Sequence, residues 1–393
     1  MSGIPDLPTD CWIMQAYDYA RLRSKLPDSC IFWLVMAYAG AAIQDRVLVD
    51  WAGKPVYPNI PLMLVTPSGY GKTSAMHLIQ RLFGRELPYI IPEDSTAESA
   101  VKMMGRNGGT YFRNSVAVWV IPELADIFGK KDYQQGLIAR VTRLLDNPRD
   151  REVSRSTKDE VIKIPGVAVL TWIAGTTYRW LSEHVEEAVS AGGFLPRLMV
   201  VHTNEDPKNV PDPERDDAKE RELQLSLRDL LSNVCLRDPK IVKLSDFPQW
   251  KELFDLNYAD IISHKDDEKQ AFISRRDENT LRIFLILHTL SGGSLSLSGC
   301  RELAMWLENQ VFRLSLSLLS ANSATLERVM VHAKRHPEGA SFATLCRNAH
   351  LSARVLRFCL QELTAESRVE WNGRVGDAGV VRPLPEKENE SEQ

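Results

Sequence analysis

The stretch Thr66-Pro67-Ser68-Gly69-Tyr70-Gly71-Lys72-Thr73, followed by Ser74, sets two glycines, a lysine and a hydroxyl at close spacing. Residues of these types in this order suit phosphate binding. Gly69 and Gly71 let consecutive backbone N–H groups converge on phosphate oxygens at a helix N-terminus. Lys72 then brings a positive charge to the β- and γ-phosphates, and the Thr73 hydroxyl is a ligand for magnesium. Pro67, Ser68, Gly69, Tyr70, Gly71, Lys72, Thr73 and Ser74 are therefore the expected nucleotide contacts. The usual pattern opens on glycine; here Thr66 holds that place, which is tolerable if it adopts the required backbone angles. The implied chemistry is binding and hydrolysis of a nucleoside triphosphate, expected to be ATP, with Mg2+.

Hydrolysis needs an acid at the end of a neighbouring buried strand. Val116-Ala117-Val118-Trp119-Val120-Ile121-Pro122-Glu123 supplies one. Glu123 is the expected base and also holds magnesium through water; the other reading is that it caps the next helix. Pro122 stands where an acidic pair would have its aspartate. Asp126 and Asp146 are the acids to turn to if Glu123 is not the base. Thr176, at the end of the next apolar run, is placed to orient water or to sense the γ-phosphate, although a strand-end threonine is also a common helix cap. Arg197, on a glycine-containing loop, is either a cation for the γ-phosphate, in cis or across a subunit boundary, or a plain surface charge.

These groups need a scaffold, and the apolar patterning predicts one. Residues 60–65, 89–91, 116–121, 167–173 and 198–202 are β-rich apolar runs. Helical patterns at 33–43, 75–83, 97–104 and 134–145 lie before or between them, and 50–55 reads as a turn. Nearly uniform hydrophobic strands alternating with helices indicate a parallel sheet covered on both faces. The expected fold is α/β: a P-loop nucleotide-hydrolase core with a parallel sheet, a helical lid region and a C-terminal winged helix-turn-helix. The expected divisions are an N-terminal helical segment over 1–55, the core over 56–205, a helical domain over 206–321, the winged helix over 322–385 and a disordered tail over 386–393. Helical patterns at 222–232, 280–290 and 301–319 support the third division. In the fourth, helices over 326–332, 341–349 and 352–363 precede strand character over 368–383, where Asn372-Gly373 signals a hairpin. Arg354, Arg357 and Arg374 are the expected DNA contacts there, with Val355, Leu356, Cys359, Leu360 and Leu363 facing inward. The same module can instead serve protein contacts.

The ordered set of motifs resembles a known group. The loop, Asp94-Ser95-Thr96-Ala97-Glu98, the Pro122-Glu123 strand end, Leu144-Leu145-Asp146, Gly175-Thr176-Thr177 and Gly192-Gly193-Phe194-Leu195-Pro196-Arg197 are similar to those of P-loop ATPases carried by phages, plasmids and integrated elements, of the primase-helicase or replication-protein type. The likeness covers roughly residues 31–203. It implies a RecA- or AAA-like core, a homo-oligomeric ring such as a hexamer, and DNA as partner alongside other replication proteins; polymerising activity is not implied.

Composition narrows the classes further. The chain has 393 residues, 44% hydrophobic and 25% charged, which is ordinary globular usage. A net charge of -4 means that any nucleic-acid site is local. The six cysteines form no CxxC pair, which argues against a zinc or disulfide framework. No apolar run is membrane-length and no secretory signal is visible, so the cytoplasm is the expected compartment. The leading expectation is an ATP-driven DNA motor; the alternatives are a non-motor initiator or helicase loader, and an ATP-controlled DNA-binding regulator.

Overall fold

The structure is a computed structural model that describes residues 3–51, 53–107, 114–125, 141–154, 161–184, 193–203, 205–210, 214–234, 239–265, 269–292, 295–321, 323–351, 353–365, 368–372 and 379–384. The chain divides into two compact units, one of residues 1–178 and 191–312, the other of 179–190 and 313–393. Among the described residues the first unit begins with helices α1 (Trp12–Arg21) and α2 (Asp28–Ile43). A hairpin of β1 (Val47–Trp51) and β2 (Lys54–Val56) follows, where the sequence suggests only a turn. Then come β3 (Leu62–Val65), α3 (Lys72–Phe83), β4 (Tyr89–Ile91), α4 (Ala97–Asn107), β5 (Ser115–Ile121), β6 (Arg149–Ser154), β7 (Val161–Thr176), α5 (Tyr178–His184), which belongs to the second unit from Arg179 onward, and β8 (Met199–His202). A helical stretch closes the unit: α6 (Asp217–Val234), β9 (Lys240–Val242), α7 (Gln249–Ser263), α8 (Gln270–Ile273), α9 (Arg276–Leu290) and α10 (Leu297–Ala321), whose last turns belong to the second unit.

The central sheet has the order β4-β5-β7-β3-β8, all four pairings parallel along that path, with β6 antiparallel to the first part of β7. Every residue of β3 and of β5 is buried, as expected of strands covered on both faces. α2 explains its own position: all residues from Cys30 to Ile43 are buried, so it has no polar face to show to water. It packs against α1, α3, α9 and the sheet, and Gly40 lets it meet the Pro58 carbonyl, which a Cβ would strike. One apolar core runs from Leu7 through α2, β3 and α3 to Leu223, Leu287 and Leu307, so segments 1–55, 56–205 and 206–321 share it. A second small sheet, β2-β1-β9, pairs Val47–Val49 with Lys240–Val242. No helix of the described residues is long and apolar enough to cross a membrane.

A chain of ion pairs ties α9 to the amino edge of the central sheet. Glu278 accepts from Arg282 at 2.7 Å and pairs with Lys54 and Arg275 at 3.4 Å. Burial opposes its charge, but Arg282, Lys54 and Arg275 outweigh that and hold its carboxyl at about 2, against an ordinary 4.5. A pKa lowered by folding stabilises above the unfolded value and ceases to as the carboxylate protonates. This stabilisation, on the order of 3 kcal/mol, is therefore complete above about pH 4.5 and is lost as pH falls toward 2. Urea midpoints measured from pH 7 to pH 3 are expected to drop more steeply for the native chain than for Glu278→Gln.

In the second unit, helix α11 (Ser323–Lys334), β10 (Ala340–Ser341), α12 (Phe342–Ala349), α13 (Ala353–Ala365), β11 (Val369–Trp371) and β12 (Val380–Pro383) follow in order. The strands form an antiparallel sheet, β10-β12-β11. Ser341 caps α12 by accepting from the Thr344 N–H at 3.2 Å, and His350 takes a left-handed φ of 51° to end it. Val355, Leu356, Cys359, Leu360 and Leu363 of α13 are all buried, the face that their spacing indicates.

Candidate functional site

Three strand ends meet around Lys72. β3 runs out at Val65 into the glycine loop, and Gly71, in a left-handed conformation at φ 77°, starts α3 with no side-chain cap and no acid in its first turn. Its leading N–H groups are thus offered outward, the arrangement that favours an anion. Gly69, at φ 83°, also needs its missing Cβ. Pro67, Ser68 and Gly69, and beyond them Thr73 and Ser74, are exposed, while Tyr70 is half-buried against the core.

Lys72 turns inward. It is 6% exposed, and its ammonium donates to Thr66 O, Thr66 Oγ1 and Pro67 O, each at 3.3 Å. Burial lowers its pKa, and the Glu123 carboxylate acts in the opposite direction. Thr66 has no positive φ, so this position does not need glycine, and its hydroxyl becomes one of the lysine's acceptors. That contribution is missed when Thr66 is read only as a lost glycine. The amino end of α2 also comes close. Cys30, whose thiol burial pushes up to about 12, lies within electrostatic range of Lys72.

β7 lies between β3 and β5, so its tip separates the loop from the acid. Val65 pairs with Thr176, and the Thr66 N–H donates to Thr176 O at 3.2 Å. On the other side the Leu124 N–H donates to Gly175 O at 2.8 Å, which fixes the half-buried Glu123 beside the same strand end. Gly175 is the other residue that pattern reasoning passed over. A Cβ there would strike the Pro122 carbonyl oxygen and lie 3.3 Å from both Lys72 Cδ and Met76 Cε. Gly175→Ala is expected to cost about 1–3 kcal/mol and to lower kcat about ten-fold or more by spreading β5 from the loop. Turnover measured beside the thermal midpoint checks this, and an unchanged kcat would contradict it.

Thr176 is fully buried, and its hydroxyl has no hydrogen-bond partner among the described residues. It sits at the expected strand end but is closed off from solvent; Thr177, one residue on, is half-buried. On the β8 side, Tyr178 and His202 stack with ring centroids 6.0 Å apart.

The structure does not bring Arg197 to the loop. Arg197 precedes β8, Met199 pairs with Leu62, and the Met199 N–H donates to Pro61 O, so the arginine lies at the amino edge of the sheet. At about 3.3 Å per residue, the four steps from Leu62 to Thr66 alone put more than about 13 Å between them. A role in cis at the γ-phosphate is thereby corrected. Arg197 instead grips Asp146 through a two-point fork, with Nε and Nη2 each 2.9 Å from a carboxylate oxygen. Burial raises the Asp146 pKa, but this fork and the Arg275 charge outweigh it and hold the carboxyl below its ordinary value. Asp146 is thus occupied at the far edge and is no alternative acid. Asp126 lies outside the described residues, as do Arg374 and the Arg354 side chain. Arg357 is half-buried, with its guanidinium 5.5 Å from the Phe342 ring centroid.

Among the described residues, no group of three or more His, Cys, Asp or Glu side chains could hold a metal ion. Thr73 and Glu123 flank the loop, and a cation there would take its remaining ligands from phosphate oxygens and water.

The chain is thus a mixed α/β protein whose five-stranded parallel sheet is consistent with a P-loop-like core. Among solved structures it is similar to one described as "SCCmec type IV Cch - active helicase", at 11% identity and a TM-score of 0.39, over 97% of this chain and 71% of that one. No family model matches the chain, and no curated protein matches it.

Proposed function

We propose that the chain is an ATP-hydrolysing, DNA-binding motor of helicase or translocase type that serves replication of a mobile genetic element. The observation that carries this reading is the convergence of β3, β5 and β7 on Lys72, with an uncapped helix N-terminus beside it. The loop N–H groups and Lys72 bind the β- and γ-phosphates of ATP, and Glu123 takes the proton of the attacking water. Thr73, with Glu123 through water, holds Mg2+, which when bound offsets phosphate charge. The resemblance in the ordered motifs supports the mobile-element assignment and a RecA- or AAA-like core.

The protein works as a ring of identical subunits, such as a hexamer. In it Arg197 exchanges Asp146 for the γ-phosphate of the neighbouring subunit's nucleotide and stabilises charge there. Arg197→Ala is expected to lose turnover and keep nucleotide binding. Mixed with Lys72→Ala protein it is expected to regain activity, because mixed rings contain some intact composite sites; no recovery at any ratio would contradict the role in trans. The second unit is a winged helix-turn-helix: α12 and α13 form the two-helix motif, β11 and β12 the wing, and Arg354, Arg357 and Arg374 the DNA contacts. Other replication proteins complete the assembly. The experiment is ATP turnover with and without single-stranded DNA. Stimulation by DNA is expected, and equal rates would contradict the reading.

A further inference from the structure

A second charged site lies at the far end of α3. Its last turn, the single turn Gly84–Glu86 and one face of α6 enclose a cavity of about 620 Å³. This is within the range of cavities that hold small ligands. Four arginines line it, Arg46, Arg85, Arg221 and Arg228, against the carboxylate of Glu86, which leaves a local charge of +3 in a chain whose net charge is -4. Arg46 is 4% exposed and lies 3.5 Å from Glu86. Arg85, Arg221 and Arg228 are exposed and make no ion pair among the described residues.

The placement of these arginines follows from the fold. Arg221 and Arg228 are seven residues apart on α6, two helical turns, so they share a face with Leu225 between them. Gln224 donates to the Arg81 carbonyl at 2.7 Å, and Gln44 to the Glu86 carbonyl at 3.0 Å, which fixes both walls. α3 has 12 residues and is about 18 Å long, so the cavity is separate from the loop at its other end.

Three guanidinium forks with no ion pair among the described residues exceed what a single carboxylate can satisfy, and their geometry matches phosphate oxygens. Leu225, 54% exposed, adds an apolar shelf beside them. We infer that this cavity binds a ligand carrying two or more phosphate groups, as in a free nucleoside polyphosphate or a strand of nucleic acid, at a site distinct from the phosphate loop. The forks take the phosphates and Leu225 takes a sugar or base face.

The test uses the full chain carrying Lys72→Ala, so that the loop contributes little and the outcome does not depend on whether the loop binds ATP. Into this background the changes Arg85→Glu, Arg221→Glu and Arg228→Glu are introduced together, with the thermal midpoint confirming folding. Arg228→Gln alone serves if the triple change unfolds the chain. Binding of a labelled oligothymidylate is followed by anisotropy, and binding of inorganic tripolyphosphate by calorimetry. Loss of strand affinity by roughly ten-fold or more, with a shallower salt dependence, identifies a nucleic-acid backbone as the source. Loss of tripolyphosphate binding with strand affinity unchanged identifies a free polyphosphate. Retention of both would overturn the proposal.

Discussion

Replacing Lys72 by alanine is expected to lower kcat for ATP hydrolysis by about 10³-fold and to weaken nucleotide binding. The ammonium is the positive charge buried at the loop, and its present partners are three oxygens at a long 3.3 Å. Such contacts are readily exchanged for shorter, charge-assisted bonds to phosphate. With alanine, developing negative charge on the β- and γ-oxygens has no fixed partner in a site where water cannot substitute well. Lys72→Arg is not expected to rescue, because a planar five-donor fork does not reproduce a compact point charge at the same place. Steady-state turnover, with circular dichroism to confirm folding, checks the prediction, and native turnover in Lys72→Ala would remove the site assignment.

Glu123→Gln separates binding from chemistry. Glutamine keeps the size of the side chain and its place after β5, where the Leu124–Gly175 hydrogen bond fixes the backbone. It cannot accept the proton of the attacking water, so the chemical step is expected to slow by about 10²–10³-fold. Nucleotide affinity is expected to change little, because the effect of Glu123 on the charge of Lys72 is smaller than the opposing effect of burial. Single-turnover hydrolysis beside equilibrium binding reads the two effects apart. Normal hydrolysis would move the base to another acid, and Asp146 is not available for it.

The parts of the site legible in the sequence were those fixed by local order. β3, the loop and α3 are contiguous, Pro122-Glu123 directly follows one buried strand and Gly175-Thr176 ends another, which in a parallel sheet puts them at one edge. Arg197 precedes its strand, and the same rule applied to it points to the opposite edge. The signal was present in the order of residues. By contrast, the pairing of β1 with β9 joins residues far apart in the chain through short runs that carry no periodicity of their own. The role of Gly175 also depends on an approach between two strands that the sequence does not put side by side. Arg357 reads as a free cation on a helix face until Phe342 is seen beneath it.

The central claim, that nucleotide hydrolysis at this loop drives movement along DNA, is tested most directly by strand displacement on a forked duplex. The native chain with ATP and Mg2+ is expected to release the labelled strand, and neither Lys72→Ala nor the native chain with a non-hydrolysable analogue is expected to do so. Equal displacement with and without hydrolysable nucleotide, or DNA-stimulated hydrolysis with no displacement on either polarity of fork, would contradict it.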